Sequence, residues 1–589
     1  MKRIIFLLLI INISFANAMS KKVTKESRDD WEYNATVATM DSSRGRMMMT
    51  PLSAPKMNMS YSKKKIGMSV GGAKDTNNFS ENIERGYLPK LDSITYEGQF
   101  YNHYFDTGLN GKECKALFCP SYTLAKNKNL FSQEDELFLS VGLNSGIDEK
   151  EFKRKKLNLV VVLDISGSMG SSFDSYFYDK LGNKISNKED SKKKKMTIAT
   201  ESIVAMLSHL KSDDRVGVVL FDHNAYRAKP LALVANTDRE AIRNHILELS
   251  ERGGTNWSAG YKEGVKLFDT IDLNDSKYEN RVVFLTDAMP NRGELSKGKL
   301  FGLAKNSAEK GIHTTFVGVG VDFNNDLVEY VSKTKGANYF SVHSSKEFKK
   351  LLDTEFDYMV TPLVYDLELK LNSKNYIIEA VYGSPDANIA TGEIMKVNTL
   401  FPSANNGEET KGGVILLKLK RMSGHIDDAM RLEVNYKDIY GKSFSSEETI
   451  KVANATEPKD TNSGVKKAIL VSNYVTVMKN WLIDTRAGCN DKIKWINEEP
   501  NVLMKRCLIY PPMHPDYPNV ATWERKSCVL KVSDGYGKLL NIFKTHYINE
   551  MKSLDDDSLN KELKILDLLL EQSQMTEPNQ KKDDWQFKN

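Results

Sequence analysis

The chain has 589 residues, 40% hydrophobic and 27% charged, with a formal net charge of +5. That length expects two or more domains and more than one sizeable core, and the balance is that of a globular protein. The small positive excess, reduced further once Lys2 and Arg3 are removed, excludes charge-driven nucleic-acid binding as the leading function.

In chain order, Met1-Lys2-Arg3, an apolar run over 4–11 and the small residues Ala16-Asn17-Ala18 form a cleavable secretory signal over residues 1–18. The run is too short for a stable membrane anchor, and Met19 in place of a cysteine argues against a lipoprotein. The protein is therefore expected to be exported, to a periplasm, a cell surface or the medium. The nearest second apolar run, 468–483, is broken by Ser472, Asn473, Lys479 and Asn480, so no integral span is expected beyond the signal. Export permits disulfides. Of the five cysteines, Cys114 and Cys119 are close enough to clip a local turn, whereas Cys489, Cys507 and Cys528 are left open in their pairing.

Residues 19–75 are rich in Met, Ser, Lys and Asn without periodicity and are expected to be a disordered lead segment. Residues 76–150 form an accessory region with a short helix opening at Ser80, an aromatic stretch over 96–105 expected to make core contacts, and a strand at 137–143. Residues 151–360 alternate strands and helices. Near-continuous apolar runs at 157–164, 215–222, 281–287 and 313–320 suit strands buried on both faces of a parallel sheet, with a fifth strand at 337–342. Between them, 195–210, 258–268, 300–310, 325–333 and 346–359 read as helices, and Thr237-Asp238-Arg239-Glu240 reads as a capping box before another. The fold class expected is α/β, a doubly wound and mostly parallel sheet. Over 361–460 the period drops to two, which predicts a β-sandwich-like region. A helical region over 461–589 follows, with helices at 465–483 and 558–572. No internal repeat is found. The basic run 192–195 reads as a solvated helix end.

Three separated pieces carry chemistry: Asp164-Ile-Ser166-Gly-Ser168 after the first buried strand, Gly253-Gly254-Thr255 between two helices, and Thr286-Asp287 ending another buried strand. In an open parallel sheet, ligands bind outside the carboxyl ends of the strands, where Asp164 and Asp287 both lie. Alternate residues Ser166 and Ser168 can turn their hydroxyls the same way, and Thr255 can add a third. Two carboxylates and three hydroxyls form an all-oxygen set that suits one hard divalent cation, Mg²⁺ first, with Mn²⁺ or Ca²⁺ as alternatives, rather than zinc or copper. Hydroxyls are weak ligands, so a carboxylate from elsewhere would bind strongly at an open position.

At these residues the chain resembles the von Willebrand factor A (VWA) family, with the five positions of its metal-ion-dependent adhesion site (MIDAS) present as Asp164, Ser166, Ser168, Thr255 and Asp287. The resemblance covers roughly 157–359. It implies a Rossmann-like domain and a non-enzymatic, adhesion-type role, in which a divalent cation recognises an Asp or Glu carboxylate of a protein partner. The flanks resemble exported bacterial-type VWA proteins, some of which are labelled calcium-activated chloride channel homologues, although neither a pore-forming run nor a His-Glu-x-x-His protease signature is visible. Other classes are weaker. No Gly-x-Ser-x-Gly elbow surrounds Ser166 or Ser168, which argues against a hydrolase, whereas a structural scaffold stiffened by the ion is a real competitor. The polar insert 171–195, carrying Phe173, Tyr176, Phe177 and Tyr178, emerges beside the expected ion and is either a recognition lip or a mobile loop. The sequon at Asn256 adjoins Thr255 and is expected to be unmodified.

Overall fold

The computed structural model describes residues 27–34, 65–70, 77–84, 86–109, 114–172, 177–178, 184–185, 193–287, 300–319, 334–342, 345–353, 355–384, 387–406, 409–422, 429–452, 455, 462–493 and 528–575. The signal segment, the helix expected over 325–333, and Phe173 and Tyr176 of the insert lie outside them.

The chain enters its largest sheet before it enters the α/β domain. Strands β1 (Lys65–Val70), β2 (Cys119–Lys128) and β3 (Asp135–Asp148) come first, with helices α1 (Asn77–Glu84) and α2 (Tyr96–Tyr101) between β1 and β2. The α/β domain follows: β4 (Lys156–Asp164), α3 (Lys195–Ser208), β5 (Arg215–Phe221), β6 (Ala225–Leu233), α4 (Arg239–Leu247), α5 (Trp257–Lys266), β7 (Tyr278–Thr286), α6 (Leu300–Glu309), β8 (Ile312–Val319), β9 (Asn338–Val342), α7 (Ser345–Leu352) and α8 (Phe356–Val360). Strands then return as β10 (Val364–Asn372), β11 (Tyr376–Tyr382), β12 (Glu393–Ser403), β13 (Val414–Arg421), β14 (Ala429–Asp438) and β15 (Ser443–Lys451), before α9 (Ser463–Ile493), α10 (Asp534–Leu554) and α11 (Asn560–Met575).

The α/β sheet runs β6-β5-β4-β7-β8-β9, parallel except for the antiparallel edge strand β6. The apolar run of β4 is buried along nearly its whole length because both faces are covered. Leu157, Leu159, Val161 and Leu163 point into one helical layer with Met196, Ile203, Ile242 and Phe348. Val160 and Val162 point into the other, with Trp257, Tyr261 and Phe316. Strand alternation thus splits one continuous apolar run between two cores. Helix α5 lies close against the sheet because Gly264 lacks a side chain: a Cβ there would stand 2.5 Å from Val162 Cγ2.

The β-rich region is larger than the interval 361–460. The nine-stranded sheet runs β11-β13-β3-β1-β12-β10-β14-β15, with β2 on β3, so strands from before and after the α/β domain are hydrogen-bonded together. Strand patterning was read over parts of β3, β10, β11, β13, β14 and β15 but not over β1, β2 or β12, and pairing across some 200 intervening residues leaves no local signal. The aromatic stretch over 96–105 does reach a core: Phe100 and Phe105 are buried against Val465, Ile469 and Tyr474 of α9. Cys114 and Cys119 are joined by a disulfide.

Three expectations need correction. The lead segment 19–75 is not uniformly disordered. Residues 65–70 are a buried inner strand with Ile66 and Met68 in the core, and residues 28–33 dock on the α/β domain, where Glu32 N donates to Ala228 O (2.7 Å) and Asp238 N to Arg28 O (2.9 Å). Tertiary partners supply what these short segments lack in intrinsic preference. Asp238, not Thr237, caps α4, accepting from the amides of Glu240 and Ala241, because the carboxylate is the stronger acceptor for a helix N-terminus. The basic run 192–195 is not all solvated: Lys195 is buried.

Among the described residues, no helix is long and apolar enough to cross a membrane.

Candidate metal centre

Asp164 is the last residue of β4, and Asp287 follows the last residue of β7. The neighbours of β4 are β5 on one side and β7 on the other, so the chain reverses its winding direction here. That topological switch opens a crevice at the carboxyl ends of the strands. After Asp164 the chain turns through a 3₁₀ turn, Gly167–Gly170, pinned by the buried side chain of Met169.

Four of the five expected residues form one contact chain. The Ser166 amide donates to Asp164 Oδ1 (2.8 Å), and the Ser166 and Ser168 hydroxyls lie 3.0 Å apart. The Ser168 hydroxyl donates to Asp287 Oδ1 (2.8 Å), and the Thr286 hydroxyl to Asp164 Oδ2 (2.6 Å). Asp164, Ser166, Thr286 and Asp287 are buried, whereas Ser168 faces solvent, so the carboxylates form a floor and the serine loop a rim. Thr255 is on the neighbouring loop, whose approach is fixed by Gly167 N donating to Gly253 O (3.0 Å) and Arg252 N to Ile165 O (2.6 Å). The loop can turn there because Gly253 adopts φ +70°, a left-handed conformation suited to glycine. The Thr255 hydroxyl makes no hydrogen bond to the other four side chains among the described residues. Asn256 caps α5, its side chain accepting from Ala259 N.

Three residues that the sequence reading did not single out complete the picture. Lys195 Nζ lies 3.0 Å from Asp287 Oδ2, with both side chains buried. Asp222, at the end of β5, accepts from Asn224 N (2.8 Å) and from Arg252 Nε (3.1 Å), and so holds the residue that precedes Gly253. The terminal Asp of the apolar run 215–222 was a usable signal for Asp222. For Lys195 there was none, because its burial depends on where α3 packs.

The electrostatics are unbalanced. Burial first, and then the nearby Asp287 carboxylate, push the Asp164 carboxyl up to about 7, against the lowering effect of hydrogen bonds from Thr286 and Ser166. With both carboxylates ionised and Lys195 protonated, the cluster carries one net negative charge. A bound divalent ion would convert this to one net positive charge.

The donors fit a hard cation. The hydroxyls of Ser166 and Ser168 lie 3.0 Å apart and Ser168 lies 2.8 Å from Asp287 Oδ1, which are ordinary hydrogen-bond separations within an all-oxygen set. Among the described residues no three His, Cys, Asp or Glu side chains gather as a metal-ligating group, at this site or elsewhere.

Residues 159–290 match the family described as von Willebrand factor type A domain. Mouse inter-alpha-trypsin inhibitor heavy chain H2 is 21% identical over 215 residues, covering 36% of this chain and 20% of that protein. The uncharacterised protein YfbK of Escherichia coli K12 is 22% identical over 301 residues, covering 49% of this chain and 46% of its own length. The matched parts thus span between about a fifth and a half of these relatives. Among solved structures, a von Willebrand factor type A protein from Catenulispora acidiphila superposes with TM-score 0.37 at 14% identity, covering 64% of this chain and 81% of that one. Proximal thread matrix protein 1 from mussel byssus, solved with a zinc-occupied MIDAS motif, gives TM-score 0.27 at 18% identity, covering 36% and 49%. By the match over residues 159–290, the α/β domain is similar to von Willebrand factor type A domains and has a VWA-type fold within a longer chain.

Proposed function

We propose that this is an exported, non-enzymatic, adhesion-type protein whose VWA domain holds one divalent cation through Asp164, Ser166, Ser168, Thr255 and Asp287, and that this ion recognises an Asp or Glu carboxylate of a protein partner. The observation that carries the reading is the contact chain Asp164–Ser166–Ser168–Asp287, an all-oxygen set at the switch point of the sheet that suits a hard divalent cation. Mg²⁺ is proposed first, with Mn²⁺ or Ca²⁺ as alternatives.

The charge count supports the second half of the proposal. Lys195 offsets one of the two carboxylates, so the ion would leave a positive centre beside a solvent-facing serine loop. An incoming carboxylate then supplies the missing charge as well as a ligand. The residues of this chain contribute positioning. Thr286 and the Ser166 amide orient Asp164, Lys195 orients Asp287, and the Asp222–Arg252 pair sets the loop that bears Thr255. No nucleophile is activated here: the Ser166 and Ser168 hydroxyls contact each other and Asp287, while His223 lies nearest Asp222. Export is supported by the disulfide Cys114–Cys119, since such bonds persist in oxidising compartments.

A second reading, a scaffold in which the ion only stiffens the loops, is favoured by one observation. Lys195 already satisfies one oxygen of Asp287, so the site holds together through its own hydrogen bonds. Calorimetric titration of Mg²⁺, Mn²⁺ and Ca²⁺ into the wild type, Asp164→Ala and Asp287→Ala tests the ion. One ion per wild-type chain and none in the variants is expected, and a folded wild type that binds no ion rejects the proposal. A metal-dependent pull-down for carboxylate-bearing partners then separates adhesion from scaffold.

A further inference from the structure

Residues 28–33, Arg-Asp-Asp-Trp-Glu-Tyr, lie as an extended strap along β6 and the start of α4, and every side chain from Asp29 to Tyr33 has an assigned seat. Asp29 pairs with His245 (2.9 Å), and the Trp31 ring stacks on the same imidazole at 5.3 Å between centroids. Asp30 pairs with Lys229 (2.9 Å), whose side chain is 0% exposed. Glu32 pairs with Arg227 (2.6 Å). Tyr33 packs on Tyr226 (5.5 Å) and under the Arg252 guanidinium (5.4 Å). Backbone bonds at Arg28 and Glu32 fix the register. This is a peptide-recognition groove on the edge of a sheet, with alternating seats for carboxylates and rings.

The same pattern recurs in the chain. Residues 582–587 read Lys-Asp-Asp-Trp-Gln-Phe, and two of the six tryptophans are preceded by Asp-Asp. Asp583, Asp584 and Trp585 repeat the residues that seat on His245 and Lys229. Phe587 keeps the ring that faces Tyr226 and Arg252. Gln586 replaces Glu32, whose ion pair is the most exposed of the set.

We propose that the groove lined by Tyr226, Arg227, Lys229, His245 and Arg252 is a docking site for residues 582–587 of this chain, competing with the strap that occupies it. Helix α11 ends at Met575, seven residue steps before Lys582. In the resting protein the strap holds the groove at the high effective concentration of a tethered ligand, so docking of residues 582–587 requires its release.

The test uses the full chain and a fluorescent peptide of residues 581–589. An Asp30→Ala/Trp31→Ala variant should bind the peptide at least tenfold more tightly than the wild type does. Peptides carrying Asp584→Ala or Trp585→Ala should lose that binding. Sedimentation velocity of the released variant tells docking within one chain from docking between copies, and any self-association should be lost on adding Trp585→Ala. Because the peptide substitutions leave the protein unchanged, folding does not confound them. A further arm uses unmodified protein: millimolar peptide should increase deuterium uptake in residues 28–33. Peptide binding that ignores Asp584 and Trp585, equal binding to wild type and variant, or self-association that survives Trp585→Ala would overturn the proposal. The last of these outcomes would point instead to exchange of the 28–33 strap between copies.

Discussion

The two ends of the VWA-type sheet treat buried charge in opposite ways. At the amino end of β4, Asp214 is enclosed: Arg154 grips it through both guanidinium nitrogens (3.0 and 2.6 Å), and the amides of Leu157 and Lys211 donate to it (2.8 and 2.7 Å). Burial alone would lower the Arg154 guanidinium, but Asp214 and Asp357 outweigh it and raise it. At the carboxyl end, Asp164 and Asp287 share one ammonium, and Asp164 is pushed up to about 7. Among the described residues, one end is electrostatically complete and the other is one cation short.

The largest effect should come from opening the closed end. Arg154→Met leaves Asp214 buried without its cation and should cost about 3–5 kcal/mol in chemical denaturation; a loss below about 1 kcal/mol would erase the contrast between the ends. Lys195→Met strips the open end of the one counter-ion found there among the described residues. In metal-free protein it should cost about 1–3 kcal/mol, yet it should raise divalent-ion affinity by about tenfold, or 1.4 kcal/mol, by removing a competing charge, while weakening capture of a carboxylate partner. Calorimetry showing weaker metal binding in this variant would mean that Lys195 positions the ligands rather than competing with the ion.

Asp164→Asn should behave unlike any change at the closed end. It removes like-charge repulsion and burial cost, so metal-free stability should hold or rise by about 1 kcal/mol, while the divalent-ion-dependent rise in melting temperature disappears. The pH dependence follows in sign. The folded carboxyl holds its proton up to about 7 and the unfolded one only to about 3.8, so the native state binds more protons between those values. Metal-free wild type should therefore lose stability relative to Asp164→Asn as pH rises from about 4 to 7. Metal affinity should climb over the upper part of the same window. Parallel melting curves of the two proteins across pH would contradict the assignment.

Much of this was legible in the residues. The runs ending at Asp164, Asp222 and Asp287 reported strands buried on both faces, and strand-end position brought Asp164, Ser166, Ser168 and Asp287 together. What stayed hidden depended on distant packing. Lys195 is one residue of a basic run, and only the seating of α3 distinguishes it from exposed Lys193. Strand β6 was not read as a strand, since Arg227, Lys229 and Pro230 interrupt its apolar residues, and its register with residues 28–33 joins segments about 200 residues apart. Strand β1 sits in a low-complexity lead segment and is specified by its neighbours β3 and β12.

The smallest effect tests whether the strap is read by its buried seats or by its total charge. Arg227 and Glu32 are 53% and 42% exposed, so Glu32→Gln should change the melting temperature by no more than an exposed ion pair allows, within about 0.5 kcal/mol. Asp30→Asn, which leaves the fully buried Lys229 without its carboxylate, should cost about 1–3 kcal/mol. Gln586 stands where the second motif would place Glu32, so a near-silent Glu32→Gln is what a groove shared by both motifs requires. If Glu32→Gln instead releases the strap as fully as Asp30→Asn, read by deuterium uptake in residues 28–33, then long-range charge holds it, and residues 582–587 lack the group that matters most.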